Sequence, residues 1–294
     1  MKVGVIAIMG RPNVGKSTLL NALLSKKVSI VSDKPQTTRD DVSGILTEKN
    51  YQMVFIDTPG IYNGKGELDR HLKRQAYIPS QDAEAVVYLL DASAASLDAD
   101  LAILSSLHQS GKLFLVVNKI DLAYAEQVQA KKKLLAESFP KATILEASFK
   151  ENFGIKELKE QIAAILPEGE PFYEKDALTD KTMSFQAKEE IRQELLHYLH
   201  QEIPHQCAVR IDYFKEKPVG IEMHATVICN KLNHKGIIIG KDGAMITRIA
   251  QSARKELSRM WRENVSYLRI KVVCDPGWRD DPKKLAKYGY GDDS

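Results

Sequence analysis

Cysteine is scarce in this sequence: only Cys207, Cys229 and Cys274. They are odd in number and widely spaced, with no C-x-x-C among them. Neither a disulfide framework nor a zinc ribbon follows, and a reducing cytosol suits them. Each reads as a small core hydrophobe. Long apolar runs are also lacking. The longest, at 3–9 and 113–117, are far too short to span a bilayer. Met1-Lys2 leads straight into an apolar run and a glycine-rich turn with no small-residue cleavage site. The start therefore reads as a first strand and not as a signal peptide. There is no internal repeat, no lipidation motif and no obvious basic amphipathic anchor.

What is present is the composition of a soluble globular protein, 44% hydrophobic and 28% charged. At 294 residues the chain is long enough for two domains. The net charge of +3 is mild but unevenly placed. Residues 1–175 hold 22 basic and 22 acidic side chains, whereas 231–271 hold ten basic and three acidic. This local excess suggests a polyanion partner for the second half. A solvated helix face explains it equally well on charge alone.

The first half alternates strand-like and amphipathic stretches. Strands are expected at 3–9, 41–47, 52–57, 85–91, 113–118 and 143–147, and helices at 16–24, 98–109, 126–138 and 155–165. Such alternation implies a mainly parallel sheet with helices on both faces. The three-residue turn at 48–50 makes the second and third strands an antiparallel pair. Periodicity fails between Leu166 and Lys181, where Pro167, Gly169 and Pro171 cluster. The expected boundaries are 1–168 for a first domain, 169–182 for a linker, 183–276 for a second domain and 277–294 for a loosely ordered tail. The second domain reads as a helix at 184–201, strands at 207–213 and 219–229, a short helix near 235–239, a long helix at 244–262 and a strand at 267–274. That order is α-β-β-α-α-β.

Gly10-Arg11-Pro12-Asn13-Val14-Gly15-Lys16-Ser17, followed by Thr18, fits G-x-x-x-x-G-K-[ST] between a strand and a helix. Its glycines let backbone N–H groups curl around phosphate oxygens at a helix N-terminus. Lys16 is expected on the β- and γ-phosphates and Ser17 on Mg²⁺. Asn118-Lys119-Ile120-Asp121, at a strand end, adds base selection. The Asp121 carboxylate accepts two hydrogen bonds from guanine, a pair that adenine does not offer. Asn118 ties this loop to the phosphate loop, and the Lys119 stem lies along the base. Asp57-Thr58-Pro59-Gly60 supplies a carboxylate for Mg²⁺ through water and a Gly60 N–H for the γ-phosphate. Between them, Gln36-Thr37-Thr38-Arg39-Asp40 offers a threonine to close over the metal.

These four elements in this order resemble the translation-factor-related GTPases, and G-R-P-N-V-G-K-S-T-L-L-N points to the Era/EngA/TrmE group. One GTPase unit followed by a short α/β module narrows the resemblance to the Era family, over nearly the whole chain. The resemblance implies GTP hydrolysis to GDP and selects Thr38 over Thr37 as the threonine on the metal. It places the guanine-closing S-A-[KL] segment near residue 146. This sequence reads Glu146-Ala147-Ser148 there, leaving the Ala147 N–H for the guanine O6. Ile61 stands where related GTPases carry a water-orienting glutamine, so intrinsic hydrolysis is expected to be slow. The group also implies a K⁺ ion near the γ-phosphate, held partly by Asn13.

Ile238-Ile239-Gly240-Lys241-Asp242-Gly243-Ala244-Met245-Ile246 matches the I-I-G-x-x-G-x-x-I core of a KH domain. In that motif the two glycines let a nucleic-acid backbone approach the chain, Lys241 neutralises a phosphate, and apolar neighbours line a groove for about four nucleotides. Ile239, Gly240, Lys241, Asp242, Gly243 and Arg248 are the expected RNA contacts. The α-β-β-α-α-β order is that of a type II KH domain. The fold class is thus an α/β P-loop GTPase domain followed by an α+β KH domain. The resemblance implies a partner at the 3′ end of 16S ribosomal RNA in the 30S subunit, and a monomeric, cytoplasmic protein. A regulatory switch at the inner face of the cell membrane is the alternative. His197 and His200, one turn apart, read as an exposed helix face and not as metal ligands. Burial is expected for Trp261, whereas Trp278 is a candidate for stacking on bases.

Overall fold

The computed structural model describes residues 1–290 except 33, 35, 36, 63 and 108–110. Gln36, the end of the helix expected at 98–109 and the last four residues of the tail lie outside the described residues. The chain forms two compact units, one of residues 1–63 and 72–180, the other of 64–71 and 181–294.

The first unit runs β1 (Lys2–Gly10), α1 (Lys16–Leu24), β2 (Val42–Thr47), β3 (Tyr51–Asp57), α2 (Glu67–Tyr77), α3 (Pro79–Asp82), β4 (Ala85–Asp91), α4 (Asp98–Ser105), β5 (Lys112–Asn118), α5 (Ala125–Ser138), β6 (Thr143–Glu146) and α6 (Ile155–Ile165). Helix α2 begins in the segment that groups with the second unit. The sheet order is β2-β3-β1-β4-β5-β6, and only β2–β3 is antiparallel. Its central strands are apolar on both faces: every residue of β4 from Ala85 to Leu90 is fully buried. That is the pattern of a parallel sheet covered on both sides. The ends of β1, β3, β5 and β6 deliver the loops at 10–15, 57–61, 118–121 and 147–150 to the carboxyl edge of the sheet, where open α/β sheets bind ligands.

Two features of this unit differ from expectation. Helix α2 lies in a charged stretch, yet Leu68, Leu72 and Ala76 repeat at four-residue spacing and are buried. The predicted linker at 169–182 is not a free connection. Gln52 exchanges two hydrogen bonds with the Tyr173 backbone, at 2.8 and 3.0 Å, and the Ile45 N–H donates to Leu178 O at 2.9 Å. This stretch serves as a strap along β2 and β3, because those polar groups need partners. The longer stretch of the second unit begins at Lys181.

The second unit contains α7 (Met183–Tyr198), β7 (Cys207–Lys217), β8 (Gly220–Cys229), α8 (Leu232–Ile239), α9 (Ala244–Trp261), β9 (Val265–Cys274) and α10 (Pro282–Lys287). The Thr182 side chain caps α7 by accepting from the Phe185 N–H. The three-stranded sheet has the order β7-β8-β9, antiparallel then parallel. Helices α7, α8 and α9 cover its apolar face around Ile191, Leu195, Val227, Ile238, Ile249 and Ala253. The three cysteines, remote in sequence, form one row across this sheet, Cys207 opposite Cys229 and Cys229 opposite Cys274. All three are free, and burial pushes the Cys229 thiol up to about 11, far from a reactive thiolate.

As far as Tyr290 the tail is a built structure and not a loose one. Trp278 is fully buried, its Nε1–H donates to Gln206 O at 3.1 Å, and its ring packs against Tyr288 and Tyr290. Burial removes Trp278 from any role in stacking on bases. Asp281 caps α10 by accepting from the backbone N–H groups of Lys283 and Lys284. Residues 64–71 join the same unit through the Leu68 N–H, which donates to Arg279 O at 3.1 Å, and an ion pair of 3.3 Å between Asp69 and Arg279. His197 and His200 are exposed, as expected. No group of three or more His, Cys, Asp or Glu side chains among the described residues could hold a metal ion.

Candidate functional site

The loop between β1 and α1 closes on a glycine that no other residue replaces easily. Gly15 caps α1 with φ of 103°, and a Cβ there would stand 2.5 Å from Asn118 Nδ2. The free N-terminus of α1 thereby opens into a cavity of about 520 Å³. Pro12, Asn13, Gly15, Lys16, Ser17, Thr18, Thr38 and Gly60 line its phosphate end, and Asn118, Lys119 and Asp121 the other. Gly10 and Arg11 give their carbonyls to Lys16 Nζ, at 3.2 and 2.9 Å. Burial lowers the Lys16 ammonium to about 8, against the opposing pull of Asp57. The Arg11 guanidinium turns aside to Asp100, 3.6 Å away.

Beneath the loop lies Asp57, completely buried at the end of β3. Burial pushes its carboxyl up, while Lys16, Ser17, Ser29 and Thr38 all favour the charged form. Ser17 Oγ donates to Asp57 Oδ2 at 2.6 Å, and Thr38 Oγ1 stands 3.0 Å from Ser17 Oγ. Asp57 Oδ1 is buried with no hydrogen-bond partner. Two hydroxyls and an unsatisfied carboxylate oxygen form a hard-oxygen donor set of the kind Mg²⁺ takes, so these residues fit that ion. Thr38, the choice over Thr37, is the threonine at this point. Thr37 Oγ1 bonds instead to Lys34 O at 2.6 Å. Thr58 is buried and donates to Ile8 O, Pro59 is buried, and the Ile61 N–H donates to Gly10 O at 3.1 Å. The Ile61 side chain packs into the core and offers nothing to a water molecule.

At the base end, Asn118 Nδ2 donates to Val14 O at 2.8 Å and so ties this loop to the phosphate loop. Lys119, with φ of 63°, pairs with Asp91 at 2.7 Å, which lays its stem along the cavity wall. The Ile120 N–H donates to Ala147 O. Ala147 itself is not the guanine-closing residue. It is fully buried and its N–H is spent on Val117 O at 2.9 Å, extending the β5–β6 pairing. The loop lies one residue further on. Ser148, Phe149 and Lys150 line the cavity, the Ser148 hydroxyl donates to Asp121 Oδ1 at 2.5 Å, and the Phe149 N–H donates to Asn118 Oδ1 at 3.2 Å. A serine thus stands beside Asp121, two positions after the place that the family pattern gives it.

In the second unit, α8 and α9 meet at the turn Lys241–Gly243. Gly240 has φ of 74°, and a Cβ there would lie 2.7 Å from Met245 Cβ. Gly243 has φ of 79° with nothing within 4 Å of that position. One glycine is needed by the fold, while the other leaves open space. Lys241 and Asp242 are exposed, and Ile239 packs into the core. Beside the turn runs a groove of about 250 Å³ between α9 and the edge strand β9. Ile246, Ala250 and Arg254 line it from α9, and Tyr267 and Arg269 from β9. Arg248 does not line it. At 100° per residue it falls on another face of α9, where it stacks on Tyr198 at 4.9 Å. Arg254 and Arg269 belong to the basic run of the second half, whereas Tyr267 belongs to no motif. The i, i+4, i+8 spacing of Ile246, Ala250 and Arg254 was the available signal.

Comparison with known proteins agrees with the two-domain fold. Residues 5–119 match the family described as 50S ribosome-binding GTPase, and residues 202–274 match the KH domain family. The chain is 38% identical to the GTPase Era of Caldanaerobacter subterraneus over 295 residues, 99% of each. It is 40% identical to that of Clostridium kluyveri over 292 residues, again 99% of each. A solved Aquifex aeolicus Era variant bound to GDP and AlF4⁻ superposes with a TM-score of 0.94 at 33% identity, covering 99% of this chain and 100% of that one. Era in complex with MgGDPNP and nucleotides 1506–1542 of 16S ribosomal RNA superposes equally well, at 34% identity and 99% coverage of both. With a guanine-reading phosphate-loop site and a KH turn on one such chain, the protein belongs to the Era family and is a GTPase, hydrolysing GTP to GDP and phosphate.

Proposed function

We propose that this enzyme binds the 3′ end of 16S ribosomal RNA through its KH domain, in a manner governed by the bound guanine nucleotide. It thereby assists assembly of the 30S subunit as a cytoplasmic monomer. The observation that carries this reading is the groove between α9 and β9, lined by Arg254, Arg269 and Tyr267, on the helix that follows a turn whose Gly243 leaves open space. Cationic side chains attract phosphates, and an aromatic ring gives a base a stacking surface. The full-length similarity to an Era captured with 16S RNA supports the choice of partner.

In the catalytic half, Lys16 and the N-terminus of α1 hold the phosphates, and the Gly60 N–H takes the γ-phosphate. Ser17, Thr38 and Asp57 are placed to hold Mg²⁺, which when bound neutralises charge on the β- and γ-phosphates. Water attacks the γ-phosphorus while GDP leaves. With Ile61 turned into the core, no side chain at that position orients the water, and turnover is slow. Asn13, in the left-handed region at φ of 62°, lines the phosphate end and is proposed to help hold a K⁺ ion there. Hydrolysis is then faster in K⁺ than in Na⁺ buffer at equal ionic strength, and equal rates contradict the K⁺ site. Crosslinking the intact protein to RNA in cells and sequencing the captured RNA tests the partner. Reads concentrated at the 3′ end of 16S RNA are expected, and reads spread over unrelated transcripts contradict the reading.

A further inference from the structure

One feature of the nucleotide site lies outside every motif that identifies it. Ser29 is 1% exposed and does not line the cavity, yet its hydroxyl donates to Asp57 Oδ2 at 2.8 Å. Its position is dictated by Asn21. Asn21 Oδ1 accepts from the backbone N–H groups of Val28 and Ser29, at 2.8 and 2.9 Å, while Nδ2 donates to Ser29 O at 2.8 Å. Three hydrogen bonds thus bracket one short piece of chain to one amide. Asn21 follows Ser17 by four residues, one turn further along the same face of α1. Helix α1 therefore reaches the Asp57 carboxylate twice, directly through Ser17 and indirectly through Asn21 and Ser29.

These two contacts have different consequences. The oxygens of Ser17 and Thr38 belong to the donor set proposed for the metal, so their positions answer to the ion. Ser29 has no such duty. It ties Asp57 Oδ2 to the protein and leaves Oδ1, the buried oxygen without a partner, as the free acceptor. Carboxylates that serve a metal are commonly oriented by a hydrogen bond from a neighbour that does not touch the ion. Ser29 also directly precedes Ile30, Val31 and Ser32, which line the cavity.

We propose that Ser29, held by Asn21, is a positioning residue for the magnesium site: it fixes the Asp57 carboxylate and so sets how strongly Mg²⁺ retains the nucleotide. This rests on the assignment of Mg²⁺ to Ser17, Thr38 and Asp57. The experiment is the release rate of a fluorescent GDP from the full-length protein, followed across a Mg²⁺ series and in EDTA. For wild type, release slows as Mg²⁺ rises. For Ser29→Ala, the half-saturating Mg²⁺ concentration rises about 10- to 100-fold, while release in EDTA keeps the wild-type rate. Ser29→Cys retains the side-chain size but is a poor donor, and should behave like Ser29→Ala. This second variant decides the matter if the alanine protein folds poorly. An unchanged half-saturating Mg²⁺ concentration in a folded variant overturns the proposal. So does release accelerated equally with and without Mg²⁺, because Ser29 then supports the loop and not the ion. A wild-type rate that ignores Mg²⁺ overturns the metal assignment itself, which separates the two failures.

Discussion

On the proposed reading, base selection rests on one carboxylate and the hydroxyl that aims it. Ser148 donates to Asp121 at 2.5 Å from a nearly buried position. A hydrogen bond to a charged group contributes about 1.5–3 kcal/mol, so Ser148→Ala should weaken GTP binding by roughly tenfold or more and weaken inosine triphosphate binding by less, because inosine keeps the N1–H but lacks the exocyclic amine. Equal losses for both nucleotides would mean that Ser148 does not aim Asp121. Lys16 sets a pH dependence. Its ammonium lies at about 8 before phosphate binds because it is buried, and anionic phosphates raise it. Binding therefore takes up a proton once the pH exceeds 8. GDP affinity should be flat below that value and fall toward tenfold per unit above it, as read by titration calorimetry. A flat profile to pH 9.5 would contradict the assignment. The phosphate loop, Asn118 and Asp121 were legible in the sequence because each carries its chemistry in a few adjacent residues. Ala147 was misplaced because the β6 ladder continues through its N–H before the loop begins. Ser29 was invisible, since its partner Asn21 lies eight residues away and no spacing rule joins them.

At the level of elements, helix phase places the cations of α9 on different faces. Arg254 shares a face of α9 with Ile246 and Ala250, whereas Arg248 stacks on Tyr198 of α7. Arg254→Ala should lower affinity for single-stranded RNA across sequences and reduce the slope of log affinity against log salt by about 0.7. Arg248→Ala should leave that slope alone and cost about 0.5–1 kcal/mol of stability through the lost cation–π contact. RNA binding in a salt series, alongside thermal unfolding, reads both effects, and a slope that changes only for Arg248→Ala would reverse the assignment. The α-β-β-α-α-β order and the parallel sheet were both readable from periodicity. Helices α2 and α10 were not. The first hides three apolar residues among charges, and the second is held by the Asp281 cap and by packing around Trp278, which involves residues 72 positions apart.

For the whole molecule, a GTP site and an RNA groove on one chain make a timer only if nucleotide state alters RNA affinity. Residues 64–71 group with the second unit, where Leu68 and Asp69 are held on Arg279. The most direct test is fluorescence anisotropy of a labelled RNA strand from the 3′ end of 16S RNA. It is titrated with full-length protein loaded with either a non-hydrolysable GTP analogue or GDP. Lys241→Asp, which places a second carboxylate beside Asp242 at the exposed turn, serves as the control. The account predicts binding at least about fivefold tighter with the analogue than with GDP, as expected of a coupling above 1 kcal/mol. It also predicts severe loss of RNA binding in Lys241→Asp with GDP affinity unchanged. Equal RNA affinity in the two nucleotide states would contradict it.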